Sequence, residues 1–182
     1  MPRKQLFISH SANATDLASF LHSWIGLVIP VVKTWCSTDP NCLPQGADFP
    51  KNVVKAAEES HCCISVLTEK SKDRNWINFE AGLFFGKNRP TFAILCGNLD
   101  YRKLSSDNHP LSLLGLNYTS PTHQSMLDFM ISLNNTLGED SVDDSFLRKS
   151  FESNWPDFER EYSRLYSENT NSINKLIAGL TD

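Results

Sequence analysis

Short apolar runs alternate with stretches in which apolar residues recur every three or four positions, and this alternation fills roughly the first three quarters of the chain. "KQLFISH" (4–10) is an apolar run closing on polar residues and predicts a buried first strand. "NATDLASFLHSWIGLV" places Leu17, Phe20, Leu21, Trp24 and Ile25 on one helical face. "PVVKTWCS" predicts a second strand. "TDPNCLPQGAD" is dense in Pro, Gly, Asn and Asp and predicts a long exposed loop. "DFPKNVVKAAEES" predicts a helix, with Asp48 as its cap and Pro50 in its first turn. "HCCISVLT" is apolar throughout, as the centre of a parallel sheet requires. A helix over 75–87, a fourth strand "PTFAILC", a loop over 97–114, an edge strand "GLNYTS" and a helix "HQSMLDFMISLNNTL" follow.

Strands alternating with helices predict right-handed crossovers and an α/β, doubly wound parallel sheet of about five strands. Near "GEDSVDD" (138–144) the composition turns acidic. From 139 to 182 there are ten acids against five bases, which accounts for the whole negative balance of a chain with net charge −4. Residues 138–182 therefore predict an acidic helical extension, broken or restarted at Pro156. It is expected to pack back through Phe146, Phe151, Trp155, Phe158, Tyr162 and Leu165, because an isolated helix of this kind is marginal in water.

Composition narrows the function classes. The negative net charge gives no signature for nucleic acid. The run from Trp24 to Val32 is too short to span a bilayer and is interrupted by Pro30, so no membrane association is expected. "MPRKQLFISH" lacks the apolar core of a signal peptide. Five cysteines, an odd number with no C-x-x-C pair, read as reduced thiols of a cytoplasmic protein. No metal site is predicted. The one pair considered, His61 with Cys62, projects to opposite faces of a strand. Cys42, in the loop, is the candidate if a cysteine serves as nucleophile.

Sites in open α/β sheets form beyond the carboxyl ends of the strands. Here those ends offer Ser9, His10 and Ser11 after the first strand, then Trp35, Ser37, Asp39 and Asn41 after the second. After the third come Thr68, Glu69 and Lys70, leading to Trp76 and Glu80. Gly-rich phosphate loops are absent, which disfavours a dinucleotide-binding dehydrogenase or a P-loop enzyme. Ser9 and His10 are neighbours without a nucleophile elbow, so a Ser-His-Asp triad has little support. The helix "NWINFEAGLFFG" (75–86) poses the sharpest question: Trp76, Phe79 and Leu83 read as its buried seam, and Glu80 lies beside it. The structural alternative for Glu80 is a boundary residue paired with Lys87, Arg74 or solvent.

Taken in order, "FISHS" (7–11), "PQGADFPKNVVKAAEESHCCISVLT" (44–68) and "WINFEAG" (76–82) resemble a Toll/interleukin-1 receptor (TIR) domain over about residues 4–135. The resemblance implies a three-layer, flavodoxin-like domain over 1–137. The W-x-x-x-E motif falls on Trp76 to Glu80, and the loop after the second strand carries a Pro/Gly turn. Many members have an acid at the position of Ala14, which reads as loss of a local cap. Stand-alone bacterial relatives of this kind cleave NAD+ at the nicotinamide–ribose bond with that glutamate, and some supply a signal to a separate effector in anti-phage defence. The resemblance thus implies Glu80 as the catalytic carboxylate. It further implies Phe7, Ser9, His10, Ser11, Trp35, Asp39, Trp76 and Tyr101 as substrate-binding candidates, and Asp39, Pro44 and Gly46 as a self-association loop. No cofactor is expected, NAD+ being the substrate. Two alternatives stand beside this reading: a non-catalytic adaptor acting by TIR–TIR contact, and an enzyme similar to nucleoside deoxyribosyltransferases, which also use a glutamate.

Overall fold

The computed structural model describes residues 3–42, 48–106 and 117–178. Five parallel strands form one sheet in the order β2-β1-β3-β4-β5: β1 (Lys4–Ser9), β2 (Val32–Cys36), β3 (Cys62–Leu67), β4 (Thr91–Leu95) and β5 (Asn117–Thr119). The helices are α1 (Thr15–Val28), α2 (Phe49–Glu59), α3 (Asn75–Gly86), α4 (Tyr101–Ser106), α5 (His123–Thr136) and α6 (Asp144–Ala178). This is the flavodoxin-like, three-layer arrangement, with a long C-terminal helix added.

Strand alternation sorts the core into two halves. Leu6, Ile8, Ile64, Val66, Phe92 and Ile94 face one layer, where they meet α1, α5 and α6. Phe7, Trp35 and Cys63 face the other, against Val53, Ala56 and Ala57 of α2 and Phe84 of α3. Further along that face, Leu67, Ala93 and Leu95 meet Ile77 and Ala81 of α3 and Leu104 of α4. Every residue of β3 is buried, as its unbroken apolar run requires.

Asp48 caps α2 as predicted, its side chain accepting from the Lys51 amide. Two expectations about the elements fail. The stretch after β4 is not all loop: Asp100 accepts a hydrogen bond from the Lys103 amide at 3.0 Å and starts α4, an N-cap inside a polar segment. Nor does Pro156 break the last helix, since α6 runs through it. The missing amide bond is offset by a ladder of aromatic side chains on both sides of the proline. Phe151, Trp155, Phe158, Tyr162 and Tyr166 stack in sequence, and Phe151 and Phe158 pack on Trp24 of α1. Leu147, Phe151 and Phe158 belong to the same buried cluster as β1 and α1, so the extension completes the main core. Phe146, expected among the packed residues, is instead exposed at 47 %.

Candidate active site

The chain reverses direction across the sheet between β1 and β3, and in open α/β sheets sites form beyond the carboxyl ends of the strands at such a point. Ser9 and Ser65 are register partners there and both are buried. Each lies two residues beyond a core residue of the α3-facing layer, Phe7 and Cys63, so both face α3. The α3 residue that meets Ser9 is Glu80.

Glu80 is 4 % exposed, on the buried face of α3 with Ile77, Ala81 and Phe84. This reverses the expected seam. Trp76 and Phe79 are the exposed face, at 36 % and 46 %, and Leu83 is half-buried. The Ser9 hydroxyl donates to Glu80 Oε2, and the Trp76 indole also bonds the carboxylate. Burial is the dominant effect and raises the Glu80 pKa to about 7, while the two hydrogen bonds oppose it by favouring the charged form. Of the alternatives, Lys87 pairs instead with Glu58 at 3.3 Å, and burial removes Glu80 from solvent.

The rim is made by two loops tied together. Asn13, after β1, donates to Thr68 Oγ1 at 3.1 Å, and the Thr68 amide donates to Ser71 Oγ at 2.8 Å. Sequence reasoning passed over Asn13, Ser65 and Ser71. The signal available was position alone, since all three are small polar residues at or just beyond the ends of β1 and β3.

The other predicted residues separate into distinct roles. Phe7 is fully buried and stacks on Trp35 at 4.8 Å, so the pair forms a closed aromatic support beneath the site, with no open face on Phe7 for a substrate. The cause is position: Phe7 lies in the strand interior, two residues short of the carboxyl end. His10 is half-buried on the opposite side of the sheet, its Nδ1 3.9 Å from Cys36 Sγ, and burial lowers its pKa. Ser11 does local work, bonding Asn13 and accepting the Ala14 amide at 2.9 Å. Asp39 joins His22, Asn41 and Cys42. Tyr101, at the start of α4, is exposed and packs on Tyr118 at 5.2 Å between ring centres, beside β5 and away from the β1–β3 switch point. Pro44 and Gly46 lie outside the described residues. Burial pushes up the thiols of Cys36, Cys42 and Cys63, so none of them is a ready nucleophile at neutral pH.

A surface basin of about 530 Å³ opens at the amino ends of the strands, lined in part by Lys4, Lys33, His61 and Arg89. It shares no residue with the Glu80 cluster and lies at the end of the sheet where this topology does not place ligands. The buried carboxylate at the switch point is the stronger candidate. No model of a known protein family matches the chain, and no curated protein matches it.

Among the described residues, no helix is long and apolar enough to cross a membrane.

Proposed function

We propose that the protein cleaves the nicotinamide–ribose bond of NAD+, as the TIR resemblance implies, with Glu80 as the catalytic carboxylate. The observation that carries this reading is a buried carboxyl group at the sheet's switch point, held by Ser9 and Trp76 and with its pKa raised to about 7. A perturbed carboxylate in that position is a candidate for function, because a buried charge without a cationic partner is costly to the fold.

The chemistry fits a single carboxylate. The nicotinamide ring of NAD+ is cationic and leaves as a neutral molecule, taking the electron pair of the broken C–N bond, so no strong general acid is required. Positive charge moves onto the ribose as an oxocarbenium-like transition state. An ionised Glu80 beside the ribose stabilises that charge, and the apolar surround strengthens the interaction. Water, or another nucleophile of the ADP-ribosyl group, then attacks the anomeric carbon and releases one proton. The product is ADP-ribose or a cyclic relative, a suitable signal for a separate effector. Trp76, half-exposed at the mouth, supplies an aromatic face for the ribose or the leaving ring.

The test is incubation of the purified protein with NAD+ and, in parallel, with a deoxynucleoside and a free base. Nicotinamide release in the first arm is expected. Base exchange in the second without release in the first would replace this reading by the deoxyribosyltransferase one. Silence in both, at high protein concentration and with a macromolecular crowder, would leave the adaptor.

A further inference from the structure

We infer a zinc site formed by His22 of α1 with Asp39 and Cys42, which follow β2. The three ligand atoms lie within 4.8 Å of one another. His22 Nε2 is 3.0 Å from Asp39 Oδ2, and Cys42 Sγ is 3.7 Å from the same oxygen. A tetrahedron with ordinary Zn–N, Zn–O and Zn–S bonds has edges of about 3.3–3.6 Å, so the two edges at Asp39 Oδ2 match within a few tenths of an ångström, and the third, within 4.8 Å, closes by rotation of the Cys42 side chain. Nitrogen, carboxylate and thiolate together select zinc over magnesium or calcium, which want oxygen alone.

The surroundings orient these atoms as a metal site needs. Thr34 Oγ1 donates to the His22 carbonyl at 2.7 Å, so its lone pair accepts the His22 Nδ1 proton, also at 2.7 Å. That leaves Nε2 turned to Asp39. Asp39 Oδ1 is occupied by the amide and the side chain of Asn41, at 2.9 and 3.0 Å, which aims Oδ2 inward. Such outer contacts fix tautomer and carboxylate direction at zinc centres. All three ligand residues are half-buried, so an ion has access and a water completes the fourth position. On binding, the Cys42 thiol proton leaves to solvent. The ion would tie α1 to the segment leaving β2. This inference does not rest on the NAD+ reading, and it replaces the sequence-based expectation of no metal.

The full chain, stripped with chelator, is titrated with Zn2+ in competition with a chromophoric chelator, and separately with Co2+ followed by absorption. One equivalent is expected to bind, with a thiolate-to-cobalt charge-transfer band and tetrahedral ligand-field bands. Cys42→Ser abolishes the charge-transfer band. Cys42→Ser, His22→Gln and Asp39→Asn each weaken Zn2+ binding by roughly a hundredfold or more, and Thr34→Val, which disturbs only the orientation of His22, by roughly 10–100-fold. His61→Gln, remote from the site, leaves binding unchanged. Circular dichroism and melting of each metal-free variant establish that it is folded. An unchanged cobalt spectrum in Cys42→Ser, or no stoichiometric uptake by the wild type, overturns the assignment.

Discussion

At the scale of single residues, Glu80 is tuned in a way that opposes stability. Its pKa rises from 4.5 in the unfolded chain to about 7 in the fold. Between those values the folded state binds more protons than the unfolded state, so stability falls as pH rises through that window. The cost of ionising Glu80 inside the fold is fully present above pH 7 and amounts to about 3 kcal/mol. Glu80→Gln removes the charge and keeps the shape. It should therefore melt higher than wild type at pH 8, with the difference vanishing near pH 4, and thermal melts at the two pH values check this. Chemistry should respond in the opposite sense. The reaction needs the ionised form, so kcat/KM for nicotinamide release should climb with pH to a plateau above about pH 7. Ser9→Ala deletes a hydrogen bond that favours that form, so the inflection should move up by roughly 1–2 pH units. An unmoved inflection would detach Ser9 from the site. The sequence marked Glu80 but placed it beside the wrong seam. In a helix apolar on nearly every side, Trp76–Phe79–Leu83 and Ile77–Ala81–Phe84 both have helical spacing. Small Ala81 and the serines at the strand ends decide which stripe turns inward, and those are contacts between elements that local pattern does not contain.

Among the elements, strands were the most legible, because each is an apolar run flanked by turn-forming residues. α4 was not, since among its residues 101–104 Leu104 alone is buried, which leaves too little periodicity, and the Asp100 cap announces it. The continuity of α6 was hidden for a different reason: a proline is a strong local signal, and here tertiary packing overrides it. Trp24 donates its indole N–H to the Asn154 carbonyl at 2.9 Å, pinning the helix just before Pro156. Gly97 shows how closely α6 is seated. It has a positive φ, its amide donates to Tyr162 Oη at 2.8 Å, and an added Cβ would come within 3.2 Å of the Tyr166 ring. Phe158→Ala should cost about 3–5 kcal/mol in chemical denaturation, as for a buried core aromatic. A loss under about 1 kcal/mol would mean that α6 is an appendage and not part of the core.

For the whole molecule, α3 turns Glu80 and Phe84 inward and Trp76 and Phe79 outward. Trp76 and Phe79, their rings 5.4 Å apart between centres, are exposed at 36 % and 46 %. The central claim is tested most directly by one comparison: nicotinamide released from NAD+ by wild type and by Glu80→Gln, at high concentration and pH 8, where the wild-type carboxylate is charged and the variant is the more stable fold. The account predicts a loss on the order of a hundredfold or more in the variant. Equal release by the two proteins would contradict it, and would remove Glu80 from the chemistry altogether.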